Sequence, residues 1–259
     1  MELGKLLLER PNKKIYLSKD GKFLIKVFDH NLVKKDEVLQ EAVIQSRAEQ
    51  FDIINVPSVE EVFKVGKDWA IATKFIEGDT LEELLEKDPS SSKEILTKFV
   101  KLQTKLNSIK AGKFETINAL VEQRVQALKK DIDASSRYEL HARLESFPKM
   151  ENLCHLDFNL SNVVVASDGE VGDLYIIDWA HARKGNPVSD VALTYLNFIL
   201  DDKKDLAESY LNLYLKNSDV AKQDVIHFLP LAAAYRLSRG GLSAEKTKYL
   251  KALTNVAEY

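Results

Sequence analysis

The stretch from Cys154 to Arg183 constrains this chain more than any other, because two runs of strand-forming residues there flank a short polar segment. Val163-Val164-Val165 and Leu174-Tyr175-Ile176-Ile177 are rich in β-branched and aromatic side chains, and Ser167-Asp168-Gly169 and Gly172 lie between them. The pattern predicts a β-hairpin. Antiparallel pairing sets the start of the first strand beside the end of the second, so Asn162 and Asp178 are expected roughly 5 Å apart, one strand spacing. Asp157 lies on the loop just before, within reach of the same end. Two carboxylates and an amide oxygen gathered at one strand end require a chemical reason.

Composition narrows the setting. At 259 residues the chain can form one large domain or two lobes around a substantial core. Hydrophobic content of 45% with 30% charged residues is ordinary for a soluble globular protein. A net charge of −3 offers no basic stripe, so no nucleic-acid partner is expected. The single cysteine, Cys154, excludes an intrachain disulfide, fits a reducing compartment, and has no further ligands at zinc-binding spacing. The opening MELGKLLLERP has too short an apolar run for a signal-peptide core. The apolar stretch Val225 to Leu237 is interrupted by His227, Pro230 and Arg236, which argues against a membrane span. A cytoplasmic protein without a membrane partner is expected.

Along the chain, short strands are predicted at Leu6 to Leu8, Ile15 to Leu17, Phe23 to Phe28, Val59 to Val65 and Trp69 to Phe75, with one helix from Lys35 to Gln50. Leu24, Lys26 and Phe28 share a strand face, and a lysine between two large apolar neighbours needs a partner for its ammonium. Glu41, with Val38 three residues before it and Ile44 three after, borders the buried face of the helix and is the better candidate than Glu37. Beyond the Glu77-Gly78-Asp79 turn the texture becomes helical. Thr80 with Glu83 fits a capping box, Ser91 with Glu94 fits a second, and helices are predicted to about Ile109, over Ile117 to Ile132 and over Ser136 to Glu145. After the hairpin the chain is helical again, with turns near Asp201-Asp202, Asn217-Ser218 and Gly240-Gly241.

His155-Leu156-Asp157-Phe158-Asn159-Leu160-Ser161-Asn162 fits H-x-D-x-x-x-x-N, and Ile177-Asp178-Trp179 follows with Asp178 sixteen positions after Asn162. With Lys26, Glu41 and the Phe75 to Leu81 hinge, this resembles the aminoglycoside phosphotransferase and choline kinase family. The resemblance runs from about Gly4 to the Asn186-Pro187-Val188-Ser189-Asp190 segment. It implies an α+β, bilobal protein-kinase-like fold. A small β-rich N-terminal lobe (residues 1–76) would bind nucleotide, and a larger, mainly helical C-terminal lobe (77–259) would carry the catalytic hairpin and acceptor site. It further implies ATP and Mg²⁺ as cofactors, with transfer of the γ-phosphoryl group to a hydroxyl of a small molecule. Such transfer needs positioning and charge neutralisation more than covalent help. Asn162 and Asp178 would hold the magnesium, Asp157 would orient or deprotonate the acceptor hydroxyl, and Lys26 would contact the α- and β-phosphates, held by Glu41. Backbone groups at Lys74, Phe75 and Ile76 would bind the adenine edge, and His155 and Asp190 would brace the catalytic loop.

Several positions depart from the family's pattern. Many relatives carry glycine where Leu156 stands and a small residue or proline where Leu160 stands. The turn from Glu9 to Lys13 has no glycine-rich phosphate signature. Asp178 and Asp190 are only twelve positions apart, too few for a peptide-docking segment. A small acceptor is therefore favoured over a protein one; a nucleotide-binding pseudokinase scaffold and, behind it, a protein kinase are the alternatives. For a cationic acceptor, Asp131, Asp133, Glu139 and Asp201 are the available acidic residues, although a solvated helix face explains them equally well.

Overall fold

The computed structural model describes residues 1–167 and 173–255, so the predicted turn residues Asp168, Gly169 and Gly172 lie outside the described residues. The chain opens with β1 (Leu3–Arg10), β2 (Lys13–Ser18), β3 (Phe23–Phe28), α1 (Lys35–Ala48), β4 (Val59–Val65), β5 (Asp68–Lys74), β6 (Gly78–Thr80) and α2 (Leu81–Lys87). Its middle holds α3 (Ser92–Ser108), α4 (Ile117–Ala127), α5 (Ala134–Ser146), β7 (Asn152–Cys154), β8 (Val163–Ala166), β9 (Leu174–Ile176) and β10 (Arg183–Gly185). Four helices follow: α6 (Val188–Leu200), α7 (Lys204–Lys216), α8 (Lys222–Ser238) and α9 (Ala244–Thr254). Two compact units result, Met1–Pro89 with Leu160–His181, and Ser90–Asn159 with Ala182–Tyr259.

The first unit is built on an antiparallel sheet in the order β1-β2-β3-β5-β4. Alternation along β3 and β5 sends Ile25, Val27, Ala70 and Ala72 to one face, where Leu3, Tyr16, Phe63 and Val65 pack on them. The other face carries Phe28 and Ile71 against Val38 and Ala42 of α1. Lys26 stands opposite Ile15 on β2 and Ile71 on β5, in phase with Phe28 and so on the helix-covered face. A second sheet of the same unit, in the order β6-β8-β9, contains the predicted hairpin.

Three short strands had no sequence signal. The predicted Glu77-Gly78-Asp79 turn is instead the start of β6, with Gly78 opposite Ala166 on β8. A Cβ on Gly78 would collide with the Val165 carbonyl oxygen, which explains glycine there. β7 and β10 pair through Cys154 with Arg183 and Asn152 with Gly185. Thr80 and Glu83 form the predicted capping box. Ser91 does not cap α3: residues 89–91 form a tight 3-10 turn leading straight into the helix, and its side chain makes no capping hydrogen bond. α4 stops at Ala127, short of the predicted Ile132.

The second unit packs its helices around Phe99, Phe158, Phe198 and Tyr210, with the Phe99 and Phe158 ring centroids 4.6 Å apart. The buried phenols find partners: Tyr210 donates to Gln103 at 2.7 Å and Tyr214 to Asn107 at 2.9 Å. Among the described residues no helix is long and apolar enough to cross a membrane.

Candidate active site

The first unit gathers Lys26, Glu41 and Asp178. The Lys26 ammonium donates to Glu41 Oε1 at 2.8 Å and to Asp178 Oδ1 at 3.0 Å. Lys26 is only 6% exposed, so these carboxylates replace the water that its charge gives up. Burial alone would lower the lysine pKa; the charges of Asp178 and Glu41 outweigh it and hold the group above its ordinary value. In return, Lys26 holds the Asp178 carboxyl well below the usual carboxylate range, against the opposing effect of burial. Lys13, at the start of β2, adds to this from 4.0 Å.

Strand pairing brings Asn162 and Asp178 to one end of the hairpin. Val163 stands opposite Ile176, and the next rung is the Ile177 N–H donating to the Asn162 carbonyl at 3.0 Å. The chain then turns sharply. Asp178 takes a left-handed φ of 62°, and a 3-10 turn over Trp179–His181 packs against α1. Trp179, fully buried, donates its indole N–H to the Ile176 carbonyl at 2.8 Å and fixes that turn. Asn162 and Asp178 are hard oxygen donors of the kind magnesium prefers, and Asp178 is already ionised, so the donor set fits that ion.

The strand end at Lys74 to Ile76 has part of its backbone committed. The Lys74 N–H donates to the Ser58 carbonyl and the Phe75 N–H to the Lys22 carbonyl, both at 2.9 Å. Ile76 is buried on Val164 and Ala166 of the hairpin sheet.

The second unit holds Asp157, His155 and Asp190. Asp190, in the first turn of α6 and fully buried, anchors the loop: its carboxylate accepts from the His155 N–H at 3.1 Å, the Leu156 N–H at 2.7 Å and the Asn107 amide at 3.0 Å. Burial pushes its carboxyl above the ordinary range, against the Asn107 hydrogen bond and the other donors. Leu156 lies in the left-handed region with φ of 61° while its side chain is buried. A glycine would adopt this backbone without strain, so Leu156 departs from a conformational preference. His155 is buried edge-on to Phe158, with ring centroids 6.1 Å apart.

Asp157 is gripped by a residue that the sequence did not flag. Arg239, just past the end of α8, donates Nη1 to Oδ1 and Nη2 to Oδ2, both at 3.1 Å. This bidentate fork is the strong form of a carboxylate ion pair. Lys13 is the other residue that sequence reasoning left unassigned. Its available signal was its place at the end of the β1–β2 turn; Arg239 had only the helix-ending Gly240-Gly241 beside it.

The profile of the phosphotransferase enzyme family, APH, matches residues 9–224. A sequence comparison with curated proteins finds no match. Among solved structures, the chain is similar to an aminoglycoside-3'-phosphotransferase of type VIII, with a TM-score of 0.65 at 16% identity, over 90% of this chain and 93% of that one. It is also similar to APH(2")-IIa in its ternary complex with streptomycin and ATP (TM-score 0.57, 14% identity, 97% and 91% covered). A microcompartment-associated aminopropanol kinase gives a TM-score of 0.55 at 15% identity, over 96% of this chain and 88% of that one. These likenesses establish the fold, an antiparallel sheet unit followed by a mainly helical one. The family match covers most of the sequence, and the chain therefore belongs to the phosphotransferase enzyme family.

Proposed function

We infer that this protein is an ATP-dependent, magnesium-requiring kinase that phosphorylates a hydroxyl group of a small molecule. The observation that carries the reading is the buried Lys26 held between Glu41 and Asp178 at 2.8 and 3.0 Å. A lysine kept charged at low solvent exposure, beside an ionised carboxylate, suits the α- and β-phosphates of a nucleotide whose metal that carboxylate binds. Lys13 is placed to add positive charge on the same side of Asp178.

Lys26 orients the phosphates, with Glu41 fixing its direction. Asn162 and Asp178 would hold Mg²⁺, which when bound neutralises charge on the phosphate oxygens. The adenine edge would use the Ile76 N–H and the Lys74 carbonyl, since the sheet takes the Lys74 and Phe75 N–H groups. Asp157 orients the acceptor hydroxyl and receives its proton. Asp190 sets the loop through its bonds to the His155 and Leu156 amides. The fold's ATP-bound and small-molecule-kinase relatives support nucleotide use and a small acceptor.

The test is ADP release from ATP and Mg²⁺ across a panel of hydroxylated metabolites and antibiotics. At least one compound should stimulate release in wild type, and Lys26→Met should abolish the stimulation. A protein that binds ATP yet releases no ADP above background with any acceptor, or with water, would fit a scaffold instead.

A further inference from the structure

The sign of the charge around Asp157 speaks to the kind of acceptor. Three of the four carboxylates considered for a cationic acceptor have partners of their own. Asp131 pairs with Lys251 at 2.8 Å, Asp201 pairs with Lys246 at 3.1 Å, and Asp133 accepts from the Ser136 N–H at 2.9 Å as the cap of α5. Glu139 is exposed.

Two arginines act on Asp157, and two more stand beside the neighbouring Tyr235. Arg239 occupies both of its oxygens, and Arg236 lies one turn earlier on α8, within the electrostatic reach of Arg239, Asp157 and Asp201. α4 packs on both α8 and β10, and from these two elements Arg124 and Arg183 act on the buried Tyr235 beside them, as Asp157 and Arg239 do. Arg183 is 8% exposed, its only ion-pair partner among the described residues being Glu115 at 3.5 Å, whose carboxylate is 66% exposed. The Nε of Arg124 is buried with no hydrogen-bond partner among the described residues. Among the described residues these four guanidinium groups outnumber the three carboxylates near them, Asp157, Asp201 and Glu115, and a polycation would meet a net positive charge here.

With both oxygens in the Arg239 fork, Asp157 is poorly free to take a hydroxyl proton. An oxyanion offers the same planar, bidentate match and can take the fork over. We propose, resting on the kinase reading above, that the acceptor is an anionic hydroxyl compound. Its carboxylate or phosphate binds Arg239 and Arg236, and by drawing Arg239 away it releases Asp157 to the acceptor hydroxyl. The transfer balances in the ordinary way. The acceptor oxygen bonds to the γ-phosphorus, the bond from that phosphorus to the bridging oxygen breaks, ADP departs, and the hydroxyl proton passes to Asp157.

The experiment has two arms on the full chain. In the first, calorimetry with ADP and Mg²⁺ at saturation, to fill the nucleotide site, follows binding of inorganic phosphate and separately of acetate. Wild type should bind at least one of these anions, and Arg236→Gln and Arg239→Lys, each checked for an unchanged melting curve, should weaken that binding about tenfold or more. Which anion binds more tightly distinguishes a phosphorylated acceptor from a carboxylic one. In the second arm, ADP release is compared for glycerate, glycerol 3-phosphate, glycerol, choline and kanamycin. An anionic compound should have the highest kcat/KM, and Arg236→Gln should raise its KM about tenfold while changing kcat less. Absence of anion binding, equal binding by the variants, or a preference for choline or kanamycin would overturn the proposal while leaving the kinase reading intact. Anion binding that is lost in the variants, with no ADP release in any arm, would sink the kinase reading and keep the anion site.

Discussion

Leu156 offers a prediction in which two backbone and packing effects oppose one another. Its φ of 61° is left-handed, and its side chain is 1% exposed. A non-glycine residue in that region carries about 1–2 kcal/mol of strain. Truncating a buried leucine to alanine costs about 2–5 kcal/mol. Leu156→Ala loses the packing and keeps the strain, so it should destabilise by the full 2–5 kcal/mol. Leu156→Gly relieves the strain but loses one buried methyl more than alanine, about 0.8 kcal/mol, and adds an unfolded-state entropy penalty of about 0.5–1 kcal/mol. The glycine variant should therefore lie within about 1 kcal/mol of the alanine variant, in place of the deficit of about 1.3–1.8 kcal/mol expected at an unstrained buried position. Urea unfolding at neutral pH, with m-values compared to confirm that only stability moves, measures this directly. Alanine more stable than glycine by more than about 1.3 kcal/mol would refute the left-handed geometry; wild type less stable than either variant would refute the packing argument.

Other consequences follow from the same structure. Glu41→Ala leaves Lys26 with Asp178 alone and should cost about 2–3 kcal/mol in urea unfolding while weakening ATP affinity; a loss below about 0.5 kcal/mol would show that the ion pair contributes little. Because the folded Asp178 carboxyl titrates below its ordinary value of 3.8, its contribution to stability is present above that pH and declines as pH falls below it. The difference in unfolding free energy between wild type and Asp178→Asn should therefore stay level from neutral pH down to about pH 4 and narrow below it, and a gap that narrows mainly above pH 5 or widens on acidification would contradict the assignment. Gly78→Ala forces a methyl group into the Val165 carbonyl and should displace β6 from β8, read as lost amide-exchange protection at Thr80 and Val164.

The parts of the fold that were legible rest on short-range patterns. β3 shows a lysine between Leu24 and Phe28, and α1 sets Glu41 between Val38 and Ile44, so alternation and helical spacing alone point the two side chains toward one layer. The two β-branched runs announced the hairpin, but its register is one residue off the expected pairing, since Asn162 stands opposite Ile177 and Asp178 follows in the turn. What escaped was decided by tertiary partners. β6, β7 and β10 are each three residues long and exist only because a partner strand accepts them. Ser91 has the right residue type for a cap, but the turn after Pro89 gives its backbone a near-helical geometry in which the side chain makes no capping bond. Arg239 lies 82 residues from Asp157 and looks like any cation at a helix C-terminus, where the dipole favours positive charge. The left-handed turn at Leu156 was hidden for the opposite reason, since a leucine gives no hint of positive φ.

The most direct test of phosphoryl transfer from ATP is a paired measurement on Asp157→Asn. Calorimetry follows ATP–Mg²⁺ binding, and ADP release is measured with the best acceptor from the hydroxylated-compound panel. Nucleotide affinity should stay within about threefold of wild type, and acceptor-stimulated release should fall by about 10²–10⁴-fold, the range expected for losing a general base. Undiminished release by a well-folded Asp157→Asn protein would contradict the role given to Asp157.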